Sequence, residues 1–379
     1  MPGKGHELYN KENDSGNRRI LLVFSVCIIA LAVFVIWITS DEKVARPSVN
    51  GALHVEGTHL VDEAAERVVL RGVSTHGLTW FPQFDDESVF RQLSEGWNSN
   101  LIRLAMYSTE YCNGKKNESL DLAIRGVDAA IVADMYVLVD WHVLGDKDPN
   151  VYAEEAADFF DFMTRRYSGV PNVIYEICNE PNGDTKWEDV KRYADHIIPV
   201  IRANSPDAVV MVGTPEFCQD LESVFSDPLD AENVMYTCHF YAGTHYDELQ
   251  TELDDAVSRG LPVFITECGI TEAEGDGRDY DNSAKWFSYL RKHDMGFAVW
   301  SLSNKDEPSA MVKPMVTDFV PLVGSKLTDT GLWVRELVRG MDPELIPDPG
   351  KEDLTFQDRN PVSSLIYRLK MKYREFSGK

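Results

Sequence analysis

Eight short apolar runs recur along the middle of the chain: Val68–Val73, Leu101–Leu104, Tyr136–Asp140, Val173–Ile177, Ala208–Gly213, Val234–Cys238, Pro262–Thr266 and Phe297–Trp300. Their near-continuous apolar, β-branched character marks strands buried on both faces. Between them lie stretches with helical periodicity. Tyr152–Tyr167 carries Ala156, Phe159, Phe160 and Met163 on one face, and Trp187–Ala203 repeats this with Val190, Tyr193, Ala194, Ile197 and Ile198. Asp247–Gly260 and Asn282–His293 follow the same rule. Strands alternating with helices predict a parallel sheet with right-handed crossovers, and eight units predict its closure into a (β/α)8 barrel. Ahead of the series, Leu53–Val55 and His59–Val61 flank Glu56-Gly57-Thr58 and predict a hairpin.

The ends of the chain break this rhythm. Ile20–Ile38 is 19 residues of apolar character interrupted by Ser25, close to the length that spans a bilayer. Arg18 and Arg19 precede it while Asp41 and Glu42 follow it, so the positive-inside rule puts residues 1–19 in the cytoplasm. The expected organisation is a polar tail over 1–19, a transmembrane or signal-anchor segment over 20–40, a linker over 41–50, the barrel over 51–340 and a C-terminal extension over 341–379. A cleaved signal peptide is the alternative for the apolar segment. Either way, most of the chain lies outside the cytoplasm. The extension is Pro-rich and acidic at first, then basic and mildly amphipathic over Leu365–Phe376. It reads as a solvated tail or a short helix, with a membrane-contacting helix as the sharper alternative.

Composition narrows the partners. A formal net charge of −25, from 62 acidic and 37 basic residues, argues against nucleic acid or an anionic membrane surface as partner, since both select for basic patches. It leaves a neutral substrate open. Of six cysteines, Cys27 lies in the apolar segment, and the remaining five show neither a CxxC pair nor zinc-site spacing. They read as small buried hydrophobes, with one disulfide through Cys218 left open. No metal or cofactor is called for.

The chemistry concentrates at strand ends. In an α/β barrel the reactive groups come from the C-terminal ends of the strands. Those ends here carry His76, Arg103, His142, Asn179 with Glu180, His239 with Tyr241, Glu267 and Trp300. Glu180 and Glu267 are 87 residues apart, three repeats of 29, which fits the ends of barrel strands four and seven. Two carboxylates facing each other across a barrel mouth are what glycosidic cleavage requires.

The same residues lie in segments that resemble glycoside hydrolase family 5, in its bacterial endo-β-1,4-glucanase branch. The segments are Gly72–Trp80, Ile102–Tyr107, Val139–His142, Ile174–Gly183 with its Asn179-Glu180-Pro181, His239–His245, Thr266–Gly269 and Trp300–Glu307, in order over about residues 50–338. The resemblance implies an endo-acting, retaining β-1,4-glucanase with a monomeric catalytic domain. It makes Glu180 the general acid/base, with a raised pKa, and Glu267 the nucleophile, held charged by Arg103. Asn179 is expected on the sugar 2-hydroxyl, Tyr241 against the nucleophile, and His142 and His239 around the reacting sugar. His76, Trp80, Trp300, Lys305 and Glu307 would line the glycone side, and Tyr107 would support it. The carboxyl groups should lie about 5 Å apart, as retaining enzymes require. Two positions depart from the pattern: Cys268 stands where relatives carry Trp, and Phe217 replaces another cleft aromatic. Both predict a less aromatic wall and weaker sugar stacking. The alternatives are a related glycanase acting on mannan, xylan or mixed-linkage glucan, and a non-catalytic carbohydrate-binding surface protein.

Overall fold

The computed structural model describes residues 44–377 together with Ser25. Residues 43–355 form one compact unit, which therefore runs past the expected limit at 340. Strands β1 (His54–Glu56) and β2 (His59–Val61) form the antiparallel hairpin read from the sequence. The other strands are β3 (Arg71–Thr75), β4 (Leu101–Tyr107), β5 (Tyr136–His142), β6 (Val173–Glu176), β7 (Val210–Val212), β8 (Val234–Thr237), β9 (Phe240–Tyr241), β10 (Val263–Gly269) and β11 (Phe297–Leu302). The order β11-β3-β4-β5-β6-β7-β8-β10, closed by β10 on β11, is an eight-stranded parallel barrel with the short β9 beside β10.

Side-chain alternation explains what the barrel holds. On β5, Tyr136 and Leu138 join the apolar floor, and Asp140 and His142 continue the same inward face towards the mouth. Trp141 points the other way, into Phe159 and Phe160 of the helix Ala153–Arg166. The floor includes Leu101, Ile174, Met211, Met235, Phe264 and Ala298, sealed below by Leu53 and Leu60 of the hairpin. Above that apolar layer the inward positions turn charged, so the strands deliver polar groups onto a closed, dry base.

Three differences from the sequence reading have local causes. The first barrel strand starts at Arg71 rather than Val68, because the Asn100 side-chain amide takes the backbone groups of Val69 and Arg71 at 3.0 and 2.7 Å. The helix Lys116–Val132 went unread because its buried face is mostly small: Ala123, Gly126, Ala129 and Ala130. A Cβ on Gly126 would meet the Leu104 side chain at 2.7 Å, so that face needs small residues. The expected linker is ordered where it is described: Pro47–Asn50 is a helical turn, and Arg46 hydrogen-bonds Ser94 and the Ser99 carbonyl.

The described residues beyond 355 fall in a separate unit. They comprise a short turn at Phe356–Asp358 and a helix over Pro361–Ser377. No helix among the described residues is long and apolar enough to cross a membrane, and the segment expected to do so, 20–40, lies outside the described residues.

Candidate active site

Arg103, fully buried on β4, organises the mouth. Its Nε and Nη2 reach both oxygens of Glu176 on β6, at 2.7 and 3.1 Å. Nη1 lies 2.9 Å from Glu267 Oε2, and Nη2 lies 2.7 Å from Asn179 Oδ1 and 3.0 Å from Asp140 Oδ2. One guanidinium thus faces three carboxylates where none is well solvated. That arrangement cannot hold every acid ionised, because a buried charge without sufficient compensation takes up a proton instead. Burial accordingly pushes Asp140 up to about 8, against the pull of Arg103, and raises Glu176 as well.

Glu180 follows β6 in a segment tied down by its own backbone: its N–H donates to the Val143 carbonyl at 3.0 Å. Gly213 makes room for that segment, since a Cβ there would sit 2.4 Å from the Asn179 and Cys178 carbonyl oxygens. Burial pushes the Glu180 carboxyl up to about 7, with Arg103 opposing and Glu176 adding to the rise. The acid expected to hold a proton near neutrality is in surroundings that make it do so. His239 Nδ1 lies 2.8 Å from Glu180 Oε1, while its Nε2 lies 2.8 Å from Thr266 Oγ1. Burial lowers His239 to about 4, so the ring is neutral at pH 7. One ring nitrogen thus faces Glu180 and the other Thr266, and the tautomer with its proton on Nδ1 donates to Glu180 when that acid is ionised.

Glu267 reaches the mouth through an irregularity. Between Ile265 and Cys268 on β10 three steps oppose two on β11, the signature of a β-bulge. Phe264 belongs to the floor, and strict alternation would turn Thr266 inward and Glu267 outward. Across the bulge both side chains face the site: Thr266 meets His239, and Glu267 meets Arg103 and the Tyr241 hydroxyl, which donates to Oε1 at 2.6 Å. Gly269 leaves space for Tyr241, whose ring a Cβ would approach to 2.5 Å.

An oxygen of Glu180, an oxygen of Glu267 and a nitrogen of His239 lie within 4.8 Å of one another. That limit is well short of the roughly 6.5–9.5 Å of inverting glycosidases and favours the closer, roughly 5–5.5 Å arrangement of retaining ones. The same trio has the donor types of a metal site, but Arg103 puts a fixed positive charge 2.9 Å from Glu267, where a cation would be repelled. The arrangement suits proton transfer and nucleophilic attack.

Beside the acids runs an aromatic wall. Trp80 lies against Tyr107 with ring centroids 4.4 Å apart, Tyr107 against His142 at 4.1 Å, and His142 stacks near Trp300 at 5.6 Å. His76 joins Trp80 and Trp300 at 5.6 and 4.8 Å, and its Nε2 lies 3.3 Å from Lys305 Nζ. Lys305 pairs with Glu307 at 2.6 Å. Burial, helped by Lys305, lowers His76 to about 4. Trp80 is 43% exposed while Trp300 is nearly covered, so the wall opens towards Trp80.

Arg103, Asn179, Glu180, His142, His239, Tyr241 and Glu267 are linked by these contacts, and Tyr107, Trp80, Trp300, His76, Lys305 and Glu307 adjoin them through the ring of His142. Two expectations need correction. Cys268 is fully buried, with its thiol directed to the Ala298 carbonyl at 3.6 Å, because the residue after an inward Glu267 faces out of the barrel. It is part of the wall between strands and leaves the cleft lining unchanged. The disulfide left open at Cys218 is not formed: all five described cysteines are free, and the Cys218 thiol donates to the Asn179 carbonyl at 2.8 Å. Phe217 is half-exposed, and its N–H donates to the Pro181 carbonyl at 3.1 Å. Glu216, Phe217 and Cys218 all have positive φ (55, 59 and 62°), a strained run pinned beside the Glu180 segment.

The sequence reading missed Asp140, Glu176 and Thr266. Asp140 accepts from His142 Nδ1 at 2.6 Å and fixes the tautomer of that ring, whose Nε2 faces the Asn179 amide at 3.3 Å. The available signal was period two: Asp140 and Glu176 share the inward parity of Leu138 and Ile174.

The model of the cellulase family, glycosyl hydrolase family 5, matches residues 61–306. The chain belongs to glycosyl hydrolase family 5. Within the family it is 46% identical over 292 residues to "Endoglucanase A" of Butyrivibrio fibrisolvens, covering 75% of this chain and 68% of that protein. An "Endoglucanase" of Clostridium saccharobutylicum is 40% identical over 306 residues, covering 80% of this chain and 68% of that protein. Among solved structures, the catalytic domain of a Thermobifida fusca endoglucanase in complex with cellotetraose superimposes with a TM-score of 0.75 at 34% identity. That match covers 78% of this chain and all of the other. The family 5 barrel is thus shared by chains that differ at most of their positions.

Proposed function

We propose that this family 5 barrel is an endo-acting, retaining β-1,4-glucanase that hydrolyses internal glucosidic bonds of cellulose-type or mixed-linkage glucans. The observation that carries the mechanism is the approach of the Glu180 and Glu267 oxygens to within 4.8 Å. In the first step the Glu267 carboxylate attacks the anomeric carbon as the bond to the leaving oxygen breaks, and that oxygen takes the proton of Glu180. In the second, the ionised Glu180 accepts a proton from water as the water oxygen displaces Glu267 from the same carbon. Two inversions give net retention.

The surroundings support these roles. The Arg103 and Tyr241 hydrogen bonds fix both Glu267 oxygens, which orients the nucleophile before the sugar arrives. The His239 proton stabilises the carboxylate form of Glu180 that the second step needs. Asn179 is held by Arg103 and by the Val143 carbonyl at 3.1 Å, in reach of a sugar 2-hydroxyl. Trp80, Tyr107, His76 and Trp300 supply stacking surface for the glycone, and Lys305 and Glu307 supply polar contacts there. Residues 20–40 are the proposed membrane anchor, with the barrel outside the cytoplasm; N-terminal sequencing of the mature chain separates this from a cleaved signal peptide.

The test follows the anomer first released from a cello-oligosaccharide, alongside reducing-sugar release from carboxymethyl cellulose, barley β-glucan, mannan and xylan. Initial release of the β-anomer with turnover of the first two polymers is expected. An α-anomer first would overturn the two-step mechanism, and turnover of mannan or xylan alone would reassign the substrate.

A further inference from the structure

Arg278 ends the loop between β10 and the helix Tyr280–Lys292, in the acidic run Glu272-Ala273-Glu274-Gly275-Asp276-Gly277-Arg278-Asp279. Carboxylates surround it in sequence, yet the bonds its half-buried side chain makes are to neutral groups of other segments. Its Nε donates to the Thr330 hydroxyl at 2.8 Å and its Nη2 to the Pro308 carbonyl at 3.2 Å. A bridge between Thr271 and Arg278, and the Glu272 N–H on the Gly277 carbonyl at 3.0 Å, hold the base of the loop. The guanidinium therefore leaves from a fixed backbone.

What it holds is the segment that follows β11. The Thr330 hydroxyl also donates to the Pro308 carbonyl, at 2.6 Å, so that oxygen takes two donors. The proline ring locks φ, and the residue before a proline is confined to extended conformations. Anchoring the Pro308 carbonyl thus fixes the direction in which the chain leaves Glu307. Both oxygens of Glu307 are engaged in turn: the Ser309 hydroxyl donates to Oε1 at 2.9 Å, and Lys305 Nζ lies 2.6 Å from Oε2. Lys305 Nζ also lies 3.3 Å from His76 Nε2. From the acids, the contacts that lead to Glu307 run through His142, Trp300, His76 and Lys305.

We infer that Arg278 is a positioning residue for glycone recognition. By anchoring the Pro308 carbonyl it sets Glu307 and Lys305 against the sugar next to the reacting one. Glu267 stands on β10 and Arg278 in the loop that leaves it, so the same tie keeps these contacts in register with the nucleophile. The inference rests on the glucanase reading.

The test compares dinitrophenyl β-glucoside, which offers one sugar, with dinitrophenyl β-cellobioside, which offers two. Both carry a leaving group that needs no acid. Arg278→Gln should lower kcat/KM on the cellobioside by up to roughly tenfold, the smaller end of what a hydrogen bond to a charged group contributes, and mainly through KM. The loss on the glucoside should be much smaller. Arg278→Lys keeps a donor for the carbonyl and should recover part of the loss. In a Glu307→Ala chain, Arg278→Gln should cost nothing further on the cellobioside, because the side chain it positions is gone. Equal losses on the two substrates, or losses that add in the double variant, would overturn the inference, since a general loosening of the barrel gives both. So would an Arg278→Gln chain with parental kinetics. If Arg278→Gln fails to fold, the substrate comparison and the double variant are read with Arg278→Lys instead. A parent chain that turns over neither substrate would overturn the glucanase reading and this inference with it.

Discussion

Replacing Glu180 by Gln probes the active site at its most informative point. The substitution keeps the size of the side chain and an oxygen to accept from His239 at the present 2.8 Å, but removes the transferable proton. Burial moves the carboxyl from 4.5 to about 7, so near neutrality about half the molecules hold the proton. An unshifted carboxyl would hold it in about one molecule in 300, and the difference corresponds to roughly 3 kcal/mol net of burial, Arg103 and Glu176 together. Losing a positioned acid/base costs about 10²–10⁴ in rate. The expected result on cello-oligosaccharides is a fall in kcat of that size. An aryl cellobioside with a dinitrophenolate leaving group needs no proton in the first step, so the variant should release a burst of about one phenolate per enzyme and then stall. Azide should restore turnover by attacking the glycosyl-enzyme without base assistance, giving a β-glycosyl azide. The alkaline limb of kcat/KM, expected near pH 7 in the parent because the acid form is lost as pH rises through that value, should vanish with the leaving group that needs no acid. Equal losses on both substrates with no burst would refute the assignment.

Other expectations follow from individual contacts. Glu110 accepts from Thr79 at 3.1 Å and pairs with Lys115 at 2.5 Å, and hydrogen bonds from Lys115, Thr79 and the Trp80 side chain hold it below the usual carboxylate range. Glu110→Ala should loosen Trp80 and raise KM several-fold for longer oligosaccharides with little change in kcat, read from steady-state kinetics against chain length; a change confined to kcat would contradict this role. Cys268→Trp should overfill the space between strands and cost about 1–3 kcal/mol in denaturant unfolding without tightening cello-oligosaccharide binding; tighter binding would put the side chain in the cleft after all. Asp85 is buried, and burial pushes it up to about 7 against Arg125 at 3.2 Å. The folded state then holds a proton that the unfolded chain has released, so the contribution of Asp85 to stability should decline as pH rises from about 4 to about 7 and level off beyond. Asp85→Asn should reduce that slope, leaving the share of Asp140, Glu176 and Glu180, in urea titrations at several pH values, and an unchanged slope would exclude Asp85 as a contributor.

Much of this protein could be read along the chain. Buried parallel strands need continuous apolar runs, so eight such runs separated by helical faces already specify a barrel, and barrel geometry gathers the ends of those strands at one mouth. That is why Arg103, His142, Glu180, His239 and Glu267 could be named from position alone. Small-faced helices such as Lys116–Val132 were silent because Ala and Gly carry little periodic signal.

The fold alone decided direction and charge. Whether a residue near a strand end faces the cleft depends on register, and the bulge on β10 turns Glu267 inward and sends Cys268 into the wall, which no local pattern reveals. Asp140 and Glu176 looked like interruptions of apolar strands until closure brought them to Arg103 at 3.0 and 2.7 Å. The elevated pKa of Glu180 likewise arises from burial among groups supplied by separate strands. Residue type and spacing are properties of the chain, whereas desolvation and facing direction exist only once the barrel has closed.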